Sequence, residues 1–458
     1  MLPMQSRLCS SNNSRSYYSK SLVNVSTDTT KFVPSSVINS LRRRFSINDR
    51  YKKCFKSSRA VKGERSRPTD ATATTEDKDD NKSNDSGRFF LNFFGFPFPL
   101  VPLLYRETVV EKIAEDVYAF EQKQGIGFGL GVSTNVRMTV IRLKKDGSLF
   151  VKDPIAPTEE CLNLMRETFG ADYVVSSIVL GTTMYEHKIF VPAFARKHKN
   201  AKVFVVPGQF SFPIQLPNAL LGIQNATELT TTSTKKLPDE WQGEIDYELL
   251  GTFSLFWNQY RYSEGTFYHK KTKTLLVTDA AVFVEGDKPP LIIPQKELSD
   301  LGSEDSFTIR LLRALNFRGG RNVKRANDVD DVINGWRRMT LFSLFIAPDA
   351  KNIINPSSSF NAMKNKFVVS PIVFIIVFDF FREEIKDWKK RCQRFAGANR
   401  VVASHFPVPL TKANGRDFFA AFKFADSASE IPSYYFDEED LASLKLLQRV
   451  LNFIKVYD

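Results

Sequence analysis

Apolar and polar residues alternate from Val136 to Leu143 (VRMTVIRL), the two-residue period of a strand with one buried face. Lys145-Asp146-Gly147 then makes a turn, and Ser148 to Val151 returns as the partner strand. Thr158 is placed to cap a helix whose inward face is Leu162, Leu164 and Met165 and which stops at Gly170. The stretch from Val174 to Phe212 spells strand, loop, helix, strand: a β-branched run (Val174 to Leu180), a polar step, a helix-like segment and a second apolar run (Val203 to Val206). A hairpin through His269-Lys270-Lys271-Thr272 feeds the strand Thr274 to Thr278 and delivers Asp279 at its end. Residues from about 286 to 365 read as an inserted set of helices and loops. Phe367 to Phe381 reads as a core helix or buried strand, Val401-Val402 as a strand with His405 just beyond it, and DEEDLASLKLLQRVLNFI as an amphipathic C-terminal helix with its acids at the start, where the helix dipole favours them.

Two other stretches resemble motifs and are read otherwise. GIGFGLG (Gly125 to Gly131) lacks the G-x-G-x-x-G spacing between strand and helix that cradles a phosphate, so it reads as a flexible lead into the first hairpin. Phe89 to Tyr105 is apolar, but Gly95, Pro97, Pro99 and Pro102 break it, and a spanning helix needs about 20 uninterrupted residues. It reads as an extended arm packed on the domain, with peripheral contact to a membrane surface as the alternative; no transmembrane segment is expected, since Phe367 to Phe381 is too short and carries Pro371.

With 458 residues and 42% hydrophobic content the chain can bury the core of a large α/β domain. Its net charge of +13 would suggest nucleic acid, but residues 1–70 hold 15 Lys/Arg against 4 Asp/Glu, so most of the excess is N-terminal. That basic, Ser-rich composition is that of an organellar transit peptide, and no apolar run near Met1 suggests secretion. Residues 1–65 are therefore expected to be a disordered leader, 66–87 an acidic polar linker, and 88–458 the folded domain. The basic patch Arg318 to Arg325 lacks interleaved stacking aromatics and has acids close behind it, so a solvated loop is expected and no nucleic-acid partner. Cys9 and Cys54 fall in the leader, which leaves Cys161 and Cys392 as buried thiols without metal-binding or disulfide spacing.

Three strand ends each present a group able to ligate a metal: Glu186-His187, Asp279 and His405. The phrases NVRMTVIRL, DPIAPTEEC, YEHKIFVPAFARKH, AKVFVVPGQFSFP, FYHKKTKTLLVTDA and SHFPVPL, in this order from Gly125 to Phe422, resemble the uncharacterised plant, algal and cyanobacterial domain of unknown function 4336 family. That family is in turn similar to a divergent metallo-β-lactamase-like (metallo-hydrolase/oxidoreductase) fold. The resemblance implies a four-layer αββα sandwich with its site where strand ends converge, and a plastid location, with the mitochondrion as the alternative. Laid on this chain, the fold's His-x-His-x-Asp-His motif falls on Thr182, Met184, Glu186 and His187, the bridging Asp on Asp279 and the last His on His405; the third His, due near Val206 to Gln209, is missing. The first metal position is thus dismantled, and the second is expected to survive as Glu186, His187, Asp279 and His405.

Two imidazoles and one or two carboxylates suit one zinc, iron or manganese ion. Glu186 is then a ligand, a general base, or a cap for a helix beginning at His187. His269 is a candidate for supporting the ligands from behind, and His198, between Lys197 and Lys199, is expected on the solvated surface. Two functions follow: a mononuclear metal-dependent hydrolase of unknown substrate, or a non-catalytic descendant without a metal that binds or scaffolds a protein partner.

Overall fold

The computed structural model describes residues 86–453 apart from 92–102, 127–131, 211–214, 232–236, 242, 256–259, 315–321, 327–328, 345–348, 408–412 and 428–437. The expected leader and all but the end of the linker lie outside them.

Near the start of the described residues β1 (Phe89–Leu91) pairs antiparallel with β2 (Leu103–Tyr105), the two ends of the broken apolar stretch. A seven-stranded sheet follows in sequence order: β3 (Thr108–Ala114), β4 (Val117–Ile126), β5 (Val132–Arg142), β6 (Leu149–Lys152), β7 (Val175–Leu180), β8 (Lys202–Val205) and β9 (Thr227–Glu228). β3 to β6 run antiparallel and β6 to β9 parallel, with helix α1 (Glu159–Phe169) crossing over between β6 and β7, and α2 (Tyr185–Lys188) and α3 (Val191–Lys197) between β7 and β8. Thr158 caps α1 as expected, its hydroxyl accepting from Cys161 N at 3.1 Å. The first hairpin is β3–β4 rather than the one at Val136: Gly125 lies within β4, which runs to Ile126, and 127–131 lie outside the described residues.

The second sheet takes the order β10 (Ile245–Leu255), β11 (Tyr260–His269), β12 (Thr274–Leu276), β15 (Arg400–Val402); β12 and β15 are parallel. Between β12 and β15 the chain forms a small antiparallel pair, β13 (Val282–Val284) and β14 (Lys366–Val368), and between these two strands come α4 (Gln295–Gly302), α5 (Phe307–Ala314), α6 (Asp331–Leu344), α7 (Ala350–Ile354) and α8 (Ser357–Met363). α4 and α6 cross so closely that a Cβ on Gly302 would lie 1.7 Å from Asp331 O, so only glycine fits there. Buried Arg338 binds these helices together by donating to the carbonyls of Leu301, Ser303, Ile353 and Ile354 at 2.8–3.1 Å. In the basic patch, Arg325 pairs with Asp331 at 2.6 Å.

Phe367 to Phe381 is neither all helix nor all strand. It supplies β14, then α9 (Pro371–Ile376), where Ser370 caps and Pro371 fills the first turn. α10 (Arg382–Arg391), α11 (Gly415–Ala420) and α12 (Glu438–Phe453) complete the chain. Asp440 in α12 is buried and accepts Asp349 N at 2.9 Å, so it is tied to the inserted helices as well as lying near a helix start. Among the described residues no helix is long and apolar enough to cross a membrane.

Three apolar seams define the layers. Phe120, Met138, Val151 and Leu180 on the outer face of the large sheet meet Met165 of α1 and Phe194 of α3. Between the sheets, Ile141, Phe150 and Val179 meet Trp241, Phe267 and Leu276. Behind the second sheet, Phe253, Leu275 and Val401 meet Trp388 of α10 and Phe418 of α11. Helix, sheet, sheet, helix is the expected αββα sandwich. Cys161 and Cys392 are buried in the outer two seams as free thiols, and burial pushes Cys161 up to about 12.

Candidate metal centre

The parallel pairs place the site, because the carboxyl ends of β6, β7, β12 and β15 point to one edge of the sandwich. There the sheets are stitched by a lone bridge between Thr182 and Glu264 and by Gly265 N donating to Gly181 O at 2.8 Å. β7 leads through Thr182 and Met184 into α2, a single turn that turns His187 inward, 1% exposed; β12 leads to Asp279 and β15 to His405.

The structure brings Glu186, His187, Asp279 and His405 together, with one donor atom from each lying within 4.8 Å of all the others. His187 Nε2 stands 3.2 Å from His405 Nε2; Asp279 Oδ1 is 3.0 Å from His405 Nε2 and 3.8 Å from His187 Nε2. Ligands about 2.0–2.1 Å from a tetrahedral zinc are about 3.3 Å apart, so these three edges fit one ion. His405 Nδ1 is 2.7 Å from Asn135 O. A carbonyl only accepts, so Nδ1 carries a proton and Nε2 is the ring atom turned to the centre. Burial by itself would lower His187, but the negative Asp279 carboxylate close beside it, with the charges of Asp153 and Glu186, outweighs it and raises His187 to about 9. Burial likewise opposes the charge on Asp279, yet the two imidazoles beside it hold its carboxyl far below the usual range. Without an ion, a proton on His187 occupies the space between these donors. Glu186 sits half-buried at the rim. It does not cap α2, which begins one residue earlier with Met184 in the cap position.

The residues standing in for the missing ligands are engaged elsewhere. Thr182 Oγ1 donates to Asp279 Oδ2 at 3.2 Å and accepts from Met184 N at 3.3 Å, and Tyr260 OH donates to Met184 Sδ at 3.3 Å. Gln209, in the stretch due to hold the third His, donates its amide to the carbonyls of Thr182 and Val206 at 3.0 and 3.2 Å.

Beneath the ligands lie two buried carboxylates that pattern reading passed over. Asp153 directly follows β6 and accepts Gly181 N at 2.7 Å, Thr278 Oγ1 at 2.9 Å and Ser404 Oγ at 3.2 Å, one contact to each ligand-bearing loop. Buried Lys152 pairs with it; a Cβ on Gly181 would come within 3.0 Å of Lys152 Cε, so that glycine lets the pair approach the loop. Burial disfavours the charge on Asp153, but Lys152 and His187 overcome this and hold it low. Glu264 in β11 accepts Thr278 N and Asp279 N at 2.7 Å, Ala280 N at 2.8 Å and Tyr262 OH at 3.0 Å. Burial, then the charge of Asp279, pushes Glu264 up to about 7 against these donors. A strand-end Asp after the apolar run LFVK, and a Glu in a strand with both faces covered, were the signals available.

Two histidine expectations are corrected. His269 is buried, but it lies at the opposite end of β11 and β12, where its Nδ1 meets Thr272 Oγ1 at 2.8 Å, so it does not support the ligands. His198 is half-buried rather than on the open surface: its ring lies 4.7 Å from Phe194 and 5.6 Å from Tyr173, and burial drives it down to about 4.

The family described as Domain of unknown function (DUF4336) matches residues 114–358 and 355–424. The chain belongs to this family. No curated protein matches it in sequence. Solved structures with a similar outline include a metallo-β-lactamase from Pontibacter korlensis (12% identity, 70% of this chain and 100% of that one, TM-score 0.32). Two others are the metallo-β-lactamase FIM-1 from Pseudomonas aeruginosa in its mono-zinc form (10%, 71% and 97%, 0.35) and a putative diflavin flavoprotein fragment from Nostoc sp. PCC 7120 (11%, 76% and 100%, 0.36).

Proposed function

We propose that this chain binds one divalent ion, zinc, iron or manganese, through His187, Asp279, His405 and Glu186, and acts as a metal-dependent hydrolase in the plastid. The observation that carries the reading is the convergence of these four donors, with two ring nitrogens and a carboxylate oxygen at tetrahedral spacing. A bound ion supplies Lewis acidity toward water and toward a substrate oxygen. The chain's own part is to hold the donors rigid and to move a proton. Thr182 Oγ1 and Glu264 fix the Asp279 carboxylate and its loop, and Asn135 O fixes the His405 ring. Glu186, at the rim and so open to substrate, is the group to accept a proton from an attacking water. One ion is expected rather than two, because Thr182 and Gln209 are tied into hydrogen bonds and Met184 offers a soft thioether poorly suited to zinc.

That same engagement of Thr182, Met184 and Gln209 favours the second reading, a non-catalytic binding or scaffold protein on this fold. Metal content separates the two. Purified under non-chelating conditions, the protein should hold about one equivalent of a transition metal, and His187→Ala and His405→Ala should each abolish it; near-zero metal in the unaltered protein would leave the scaffold reading. The plastid location rests on the basic, Ser-rich leader and the family resemblance. A fusion of residues 1–87 to a fluorescent protein should enter plastids, and a cytosolic or secreted signal would refute it.

A further inference from the structure

Three buried polar residues on β4 and β5 have no part in binding the ion yet grip the loop that carries His405. Glu121 and Arg137 are directly opposite one another in the β4–β5 register, and Asn135 lies two residues from Arg137 on the same face. Arg137 is 1% exposed and Asn135 fully buried. Glu121 holds the guanidinium through Oε1, 2.7 Å from Arg137 Nε and 2.6 Å from Nη2. The other edge of the fork faces the loop: Nη1 donates to Ala403 O and Nη2 to Phe406 O, the latter at 2.6 Å. Asn135 Oδ1 accepts Phe406 N at 2.7 Å, its amide nitrogen donates to Glu121 Oε2 at 3.1 Å, and its backbone carbonyl accepts His405 Nδ1.

Phe406 has φ of 62°, the left-handed region that a phenylalanine rarely enters, and both its N–H and its C=O are held from β5. An apolar pair in place of Glu121 and Arg137 would suit the core at least as well, since a buried ion pair is weak evidence for stability. Such a pair could not anchor the two carbonyls that bracket Ser404 and His405.

We propose that Arg137, with Glu121 and Asn135, is a positioning unit that locks His405 in one ring orientation and, when the ring is neutral, in one tautomer, Nδ1–H with Nε2 turned to the centre. The inference rests on the metal-site reading above for its purpose, but its geometry is tested separately. Two variants serve: Arg137→Lys, which keeps the charge but replaces the planar fork with a point donor unable to reach both carbonyls, and the neutral pair Glu121→Gln/Arg137→Met, which leaves no unpaired charge. Ring ¹⁵N shifts of His405 in metal-free protein, taken at a pH high enough for the ring to be neutral, report the tautomer, and competition against a chromophoric chelator reports zinc affinity. The unaltered protein should show a single tautomer protonated at Nδ1. In both variants the tautomers should mix and zinc affinity should fall about 10- to 100-fold, the usual effect of removing support behind a ligating histidine. If either folded variant keeps the single tautomer, with zinc affinity within about twofold of normal, the proposal is overturned. Should the unaltered protein bind no zinc, the metal reading fails and the tautomer result alone decides this one; if the neutral pair does not fold, Arg137→Lys decides it.

Discussion

Removal of the Glu264 carboxylate is the sharpest test of how the Asp279 loop is held. Four donors, the N–H groups of Thr278, Asp279 and Ala280 and the hydroxyl of Tyr262, end on its two oxygens, and the side chain is fully buried. A buried donor left without its acceptor costs about 1–3 kcal/mol, which for four donors would total about 4–12 kcal/mol. A water entering the vacated space would answer some of them, and the repulsion between Glu264 and Asp279 is relieved, so Glu264→Ala should cost about 3–5 kcal/mol. Glu264→Gln should cost only about 1–2 kcal/mol, because the amide oxygen can still accept from Asp279 and Ala280 while the NH₂ faces only the Thr278 N–H. In urea, at a slope of about 3 kcal/mol/M, the alanine variant's midpoint should fall by about 1 M or more. Backbone amide exchange at Asp279 and Ala280 should accelerate with it. The reasoning is refuted if Glu264→Ala stays within about 1 kcal/mol of the unaltered protein, or if glutamine is as damaging as alanine, since directional acceptance and not charge would then be irrelevant.

Metal affinity should depend on pH through His187. Its folded value of about 9 lies above the ordinary 6.5, so an entering ion must displace a proton, and zinc affinity should rise about tenfold per pH unit from roughly 6 to 9 in a chelator competition; a flat profile would contradict the protonated His187. Stability of the metal-free protein runs the other way. The His187 contribution is full below about 6.5 and lost as pH rises through about 9, while the Asp279 contribution, from a depressed carboxyl, is present above about 4 and lost as pH falls. Calorimetry on metal-free protein across this range should show the decline on both sides. Trp388 is fully buried and packs on Phe422 at 4.9 Å, but its indole N–H has no partner among the described residues, so Trp388→Phe should cost less than about 1.5 kcal/mol and Trp388→Ala about 3–5 kcal/mol in chemical denaturation. His198→Ala should lower stability by about 1–2 kcal/mol through lost packing on Phe194, with zinc affinity unchanged.

The strand ends were legible because β-branched runs such as Val174 to Leu180 are followed by a chemically distinctive residue, and the parallel crossovers then bring those ends to one edge. The support beneath them was not. Asn135 and Arg137 alternate with Val136 and Met138, which reads as a strand with one face in water, but the His405 loop, 270 residues away in sequence, covers that polar face. Local alternation cannot tell a solvated polar face from one closed by a distant loop. His198 misled in the same way: its lysine neighbours point to solvent, while the helix end tucks the ring beneath Tyr173. Glu264 lies within YSEGTF, where alternation leaves it facing the layer behind Asp279, a placement visible only when both strands are in register.

The most direct test of the central claim is anomalous diffraction at the zinc edge from crystals of zinc-loaded protein. The account predicts a single peak between His187 Nε2, His405 Nε2 and Asp279 Oδ1, with Glu186 at its open side and no peak beside Thr182 and Gln209. Two peaks, or one displaced from these three atoms, would contradict it.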